Sequence, residues 1–211
     1  MIKGVITGDL IRSTSIAAEW RPTVMEALNA CIADCTAFAP TKIEMYRGDS
    51  FQIVTDSPQC TLTTAVALRA KLRASTPEQT EIWDARLSIG IGDISFESND
   101  IVTSDGEAFR LSGRAFDSIG KKRLNISTPW ADVDEAINLT TCFADEIISA
   151  WTTKQAKVVY HALFSLKTQK DMADELGMSR QNFNYHWTSS KGQLIVNYIE
   201  FYKTLIDKYI K

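Results

Sequence analysis

"VITGDLIRST", residues Val5 to Thr14, is a β-rich run that stops on Asp9 and then offers a serine and a threonine. A second run, "IEMYRGDSFQIV" from Ile43 to Val54, is strand-like on both sides of a Gly48-Asp49-Ser50 turn. A carboxylate at the end of an apolar strand is costly to bury unless it has a partner. If the two strands are neighbours in one sheet, Asp9 and Asp49 converge at one end of it. Two such charges repel, and a divalent cation with hard oxygen ligands, Mg²⁺ or Mn²⁺, would relieve them. A pair of this kind is what two-metal phosphoryl transfer requires. The competing reading is that each Asp caps its own turn, since Gly-Asp is ordinary turn chemistry.

Outward from these runs, periodicity predicts a strand over 2–7, a helix over 18–38, strands over 42–47 and 51–55 and a helix over 59–75. A strand over 85–94, a helix over 104–120, a short strand in "RLNIS" and a helix over 131–150 follow. The order β-α-β-β-α-β-α-β predicts an α+β domain in which helices pack on one antiparallel sheet, as in ferredoxin-like folds. Its expected span is 1–130, with 131–150 a connecting helix and 151–211 an all-α unit. Cys31 and Cys35 fall on a helical stripe with Trp20, Val24, Leu28, Ile32 and Phe38, and read as small core hydrophobes.

Charge supports the division. The 211 residues carry a net −3, but 1–150 hold 14 basic against 21 acidic side chains, net −7, whereas 151–211 hold 9 against 5, net +4. With 45% hydrophobic and 23% charged residues the composition is that of an ordinary globular protein. No apolar run approaches the roughly 18 residues of a membrane helix, and the chain enters a strand without a leader-like segment, so a cytoplasmic protein is expected. Four cysteines without a Cys-x-x-Cys pattern and two histidines argue against zinc. His161 and His186 have no acidic or cysteine partner at ligand spacing and read as structural. The "KKR" at 121–123 would complement the end of a helix.

The basic tail contains "TQKDMADELGMSRQNFNYHW", Thr168 to Trp187, which reads as a helix-turn-helix. Met172, Ala173 and Leu176 form the inner face of its first helix, Gly177 ends it and Ser179 caps the next. The second helix buries Phe183 and turns Arg180, Gln181, Asn182, Asn184 and Tyr185 outward, groups that read base edges or hold phosphates. Lys191 beyond it can reach only phosphate. Double-stranded DNA is the expected partner, and the alternative is a helical hairpin used for protein contacts. The preceding helix turns Val158, Val159, Ala162 and Leu163 inward. The final amphipathic run, apolar at 195, 198, 199, 202, 205, 206 and 209, would be core or a dimer contact.

Four motifs add a family resemblance. "DLIRST" from Asp9 is similar to the first metal-binding segment of class III nucleotide cyclases. "RGDSFQIV" from Arg47 resembles their second metal hairpin and the Gly-Asp-Glu-Phe turn of diguanylate cyclases. "RLSIGIGDI" from Arg86 and "GEAFRLSGRAFD" from Gly106 resemble the following strand and the helix that contacts the nucleotide. With a C-terminal helix-turn-helix, the whole most resembles the bacterial SatD-type proteins. The resemblance implies a palm-like, nucleotide-cyclase-like domain with Mg or Mn at Asp9 and Asp49. Leu10, Ser13, Thr14, Arg110 and Arg114 would bind a nucleotide, Asp9, Asp49 and Arg114 would be the catalytic set of an active enzyme, and a homodimer would hold the nucleotide between subunits. The chain departs from the pattern at Met45 and Thr103, where a purine-reading pair is expected, and at Arg110, where the cyclases have Asn. Arg110 and Arg114 also fit a solvated helix face at i, i+4, and Asp105 and Glu107 suit a helix N-terminus. Two functions follow as expectations: a DNA-binding regulator with a metal- or nucleotide-binding sensor domain, or an active nucleotidyl cyclase or transferase.

Overall fold

The computed structural model describes residues 1–46, 48–96 and 100–210, and only the backbone of Val102. Arg47, part of the quoted hairpin motif, lies outside the described residues. Strand β1 (Ile2–Leu10) is central, flanked by β3 (Ser50–Thr55) and β4 (Ala85–Phe96), both antiparallel to it. β2 (Thr41–Tyr46) borders β3, β5 (Asp105–Gly106) borders β4, and β6 (Leu124–Ser127) runs parallel to β4. The order β2-β3-β1-β4 around helices α1 (Arg21–Thr36) and α2 (Thr61–Ala74) is the ferredoxin-like arrangement that the sequence predicts.

Alternation along the strands sorts their residues between two faces. Ile6, Leu10, Phe51, Ile53, Leu87 and Ile89 join the main core with α1 and α2. Val5 meets Ala108 and Phe109 of α3 (Glu107–Asp117) on the opposite face, and Thr7 hydrogen-bonds Ser112 there at 3.0 Å. The "GIG" of β4 lets α3 lie directly on the strand. A Cβ on Gly90 would stand 2.2 Å from the Ala108 carbonyl oxygen, and one on Gly92 would stand 3.0 Å from the Ala108 nitrogen. Only glycine admits so close an approach of helix to strand.

Five helices complete the chain: α4 (Ala131–Ser149), α5 (Thr153–Phe164), α6 (Gln169–Glu175), α7 (Arg180–Ser189) and α8 (Gly192–Asp207). They do not stand apart from the sheet. The main core continues without a break through Ile148, Trp151 and Val159 to Ile199, Tyr202 and Ile206. The apolar stripe of α8, expected as core or dimer contact, is core: it packs on α4 and on the 3-10 turn Pro58–Cys60, where the buried Tyr202 hydroxyl donates to the Pro58 carbonyl at 2.7 Å. Support for a dimer from that stripe therefore falls away.

Several boundaries differ from expectation, among them the end of the first strand, expected at 7 and observed at Leu10. The helix expected from 18 begins at Arg21 behind a 3-10 turn, because Pro22 favours a first-turn position. The helix expected over 104–120 starts at Glu107, since Asp105 and Gly106 pair with β4. Phe38, assigned to the core stripe of α1, lies past the helix end, is largely exposed, and meets Phe164 at the surface.

Candidate functional site

Asp9 and Asp49 do converge. Asp9 stands opposite Ser50 on β3 and Arg86 on β4, and the Asp49 carbonyl accepts the N–H of Leu10 at 3.1 Å. The charge between them is relieved by an arginine. Arg86 grips Asp9 with two N–H groups, Nε to Oδ1 at 3.0 Å and Nη2 to Oδ2, and its guanidinium lies 5.7 Å from the Phe116 ring centroid. Hydrogen bonding to Asp9 raises the Arg86 pKa, and the charge of Asp49 adds to it. Asp49 is held from across the sheet end: its Oδ2 accepts from Ser13 Oγ, in the 3-10 segment after β1, at 2.6 Å. Among the described residues no cluster of three or more His, Cys, Asp or Glu could hold a metal. Arg86 occupies both oxygens of Asp9, so a Mg²⁺ or Mn²⁺ ion shared by the two carboxylates would have to displace it.

The other expected nucleotide contacts divide. Leu10 is spent: its side chain is core and its N–H is bonded to Asp49, while the next N–H, of Ile11, goes to the Asp84 carbonyl at 2.9 Å. Thr14 is exposed, beside the Ser13 that caps Asp49. Arg110 is exposed and pairs with Asp105 at 3.1 Å, a local contact across the start of α3. Arg114 is exposed one turn further along, toward the end of α3 that carries Phe116. What the sheet end offers chemically is a guanidinium fixed by Asp9 and an aromatic face, with a second arginine on the adjoining helix.

A second charged cluster was not read from the sequence. Arg69 and Arg73 of α2 are buried and converge on Asp84, also buried. Arg69 donates to both Asp84 oxygens at 2.8 Å and to Asp145 of α4 at 2.7 Å. Arg73 donates to Asp84 at 2.8 Å and to the Trp151 carbonyl at 2.6 Å, and Arg123 reaches Asp84 at 3.0 Å. Arg123, expected to complement the end of a helix, thus belongs to this cluster. Burial alone would push the Asp84 carboxyl up, but Arg69 and Arg73 outweigh it and hold Asp84 below the ordinary carboxylate range. The signal was present in "TLTTAVALRAKLRA": two arginines at i, i+4 in a helix otherwise apolar on that side.

The two helices expected to form a helix-turn-helix are present as α6 and α7. Ser179 Oγ caps α7 by accepting the Asn182 N–H at 3.1 Å, Gly177 takes φ +65° after α6, and Thr168 forms a capping box with Asp171. Met172, Ala173, Phe183 and Val158 form the small core of α5, α6 and α7. Arg180, Gln181, Asn182, Asn184 and Tyr185 are all exposed on α7, and Lys191 is exposed just beyond it. His161 does have an acidic partner: its Nε2 is 2.7 Å from Glu175 of α6, fourteen residues on, which sequence spacing does not show.

No protein-family model matches the sequence and no curated protein matches it, so the SatD-type resemblance gains no support from either. Among solved structures the chain is similar to two of a bacterial light-regulated adenylyl cyclase. One is 13% identical with a TM-score of 0.37, over 60% of this chain and 75% of that one. The other is 17% identical with a TM-score of 0.35, over 60% of this chain and 43% of that one. Likenesses of this size say nothing of what the chain binds, and the fold stands on the sheet order itself. No helix among the described residues is long and apolar enough to cross a membrane.

Proposed function

We propose that the protein is a DNA-binding regulator in which α6 and α7 form the helix-turn-helix and the α+β unit is a sensor domain. The observation that carries this reading is the surface of α7. One residue of the helix, Phe183, is buried, and five polar or aromatic side chains project from it. Among the described residues the side chains of Arg180, Gln181 and Asn184 make no hydrogen bond within the chain, so their donors and acceptors are open to base edges. Arg180 and Gln181 occupy the first turn, the part of a recognition helix that enters the major groove. The net +4 of the tail favours a polyanion. The reading includes a homodimer, because one such helix meets only one half-site. Selection from a random duplex library tests it. Enrichment of a pseudo-palindromic site is the expected result, and absence of any duplex binding at low salt would make α6 and α7 a protein-contact module.

The second reading, metal-dependent nucleotide chemistry, rests on the convergence of Asp9 and Asp49 at one sheet end with Arg114 on the neighbouring helix. It requires a divalent ion to displace Arg86. Incubation with Mn²⁺ or Mg²⁺ and each nucleoside triphosphate, with products separated by chromatography, decides it. New nucleotide product would establish the enzyme, and unchanged triphosphates leave the sheet end as a binding surface.

A further inference from the structure

A cavity of about 470 Å³ opens between the segment after β1, the end of α2, the loop before β4 and the loop before β6. That is the size class of small-molecule sites. Its walls are mixed, an apolar side of Ile16, Trp20, Ile82 and Trp83 and a polar rim that includes the acidic Glu19 and Glu81, and its floor is the charged cluster of Arg73, Asp84 and Arg123. An ion pair between Arg12 and Glu81 lies at its edge. Arg12 stands in the left-handed region at φ +52°, where a residue with a side chain is strained. Both partners of that pair are well exposed, at 67% and 57%, so it is easily exchanged for another.

The floor has unused capacity for negative charge. Asp84 is saturated: Oδ1 accepts from Arg69 and from its neighbour's backbone N–H, and Oδ2 accepts from Arg69, Arg73 and Arg123. Three guanidinium groups share two carboxylates, those of Asp84 and Asp145. Arg73 shows the excess: burial first, then the like charges of Arg69 and Arg123, hold it below its ordinary pKa even beside Asp84. Arg123 spends one side-chain N–H on Asp84 and is 37% exposed, leaving the rest of its fork to the cavity.

We infer that this cavity binds a small organic anion, a carboxylate or phosphate carried on a flat apolar body. Arg123 takes the anionic group, the body lies against Trp20, Ile16 and Ile82, and Arg12, released from Glu81, completes the anion's coordination. Such a ligand matches both halves of the lining, and a guanidinium fork suits either headgroup. The floor is also wired to the helix-turn-helix. Arg73 holds the Trp151 carbonyl, and the Trp151 indole N–H donates at 2.7 Å to the carbonyl of Ser190, the residue that closes α7. The bound anion is therefore an effector of α7, a role that rests on the DNA-binding reading, whereas the binding itself does not.

The test uses the full chain, with benzoate and phenyl phosphate as probes and benzamide as the uncharged control. Calorimetry and tryptophan fluorescence should show one or both anions bound with the emission of Trp20 and Trp83 altered, and benzamide bound at least about tenfold more weakly. Whichever anion binds more tightly identifies the headgroup. Arg123→Gln should weaken binding by about tenfold or more. Ile82→Glu places a carboxylate at a surface position and should abolish it with the fold intact, so the test survives if the arginine variant fails to fold. Equal binding of benzamide, undetectable binding of both anions at millimolar concentration, or wild-type binding by Ile82→Glu would each overturn the site. The effector role is read separately from DNA affinity with and without the anion. A shift in wild type that is absent in Ile82→Glu supports it, and an unchanged affinity overturns it. A chain that binds no DNA but still binds the anion refutes the regulator and spares the pocket.

Discussion

Asp9, near the end of β1 and opposite Arg86, and Asp84, just before β4, are both gripped by arginine, and they differ chiefly in their access to water. The Asp9 pair is one to one, with the Arg86 side chain 40% exposed. Asp84 is 2% exposed and accepts from three arginines. Water screens the first pair, so it contributes little to stability and its arginine can be exchanged. The second has no solvent to fall back on, so removing one member leaves an uncompensated charge in the interior. One arrangement leaves a site open to rearrangement and the other joins two halves of the molecule.

The largest effect should come from the buried cluster. Arg69→Met removes the guanidinium that faces both Asp84 and Asp145 and should cost about 3–5 kcal/mol, measured as a fall in the urea midpoint with the slope unchanged. A loss below about 1 kcal/mol would mean that water already reaches the cluster.

Acid probes the buried cluster directly. The folded pKa of Asp84 is depressed, so its stabilisation is present in full above the unfolded value of about 3.9 and is lost as pH falls through the lower, folded value. Urea titrations between about pH 5 and pH 2 should therefore show a steep loss in wild type. Asp84→Asn, already destabilised at neutral pH, should show a shallower one, and equal slopes would remove Asp84 from the account.

On the surface of α7 proposed to meet DNA, Arg180→Ala or Gln181→Ala should cost on the order of 1–3 kcal/mol on a selected site and little on random duplex. Lys191→Ala should weaken both alike and reduce the salt slope by about one. Competition binding at several salt concentrations distinguishes the two patterns.

The smallest stability change belongs to the partly buried pair: Arg86→Met should shift it by about 1 kcal/mol, less than the buried cluster loses. The same substitution frees Asp9 beside Asp49, so Mn²⁺ affinity measured by calorimetry should rise above that of wild type. No gain would mean that the two carboxylates are placed wrongly for an ion even when unpaired.

Much of this was legible in advance. The strands are legible in the alternation of "VITGDL" and "SFQIV" and the fold class in the order of elements, and the meeting of Asp9 and Asp49 then hangs on the condition that those strands are neighbours, which they are. The compensating Arg86 stood in plain sight in "RLSIGIGDI", at a parity shared with Gly90 and Gly92. Seeing that it faces Asp9 needs the register between β1 and β4, which depends on residues 77 positions apart. Arg69 and Arg73 are marked in the sequence by standing on the apolar side of their helix, but their partners Asp84 and Asp145, 15 and 76 positions from Arg69, come into view only with tertiary packing. The helix-turn-helix was the clearest because its signals, the Ser179 cap, the Gly177 break and the buried Phe183, are local. The role of α8 was not, since its apolar stripe looks the same whether it meets its own chain or a copy.

The seat of α8 against the turn at Pro58–Cys60 sets an order of events during synthesis. A ribosome releases the sheet first and the last helix last, and domains generally fold as units from the N-terminal side. Here the core opened by Ile6 is closed by Ile206, and Tyr202 reaches back to Pro58 across 144 residues. A nascent chain stalled before α8 therefore exposes the apolar surface of α4 and α2 that α8 covers, and presents α7 without the helix that follows it. The end of α7 gains its support only once α8 has emerged and folded back onto Pro58–Cys60, so a product cut short before α8 is work for proteases and chaperones.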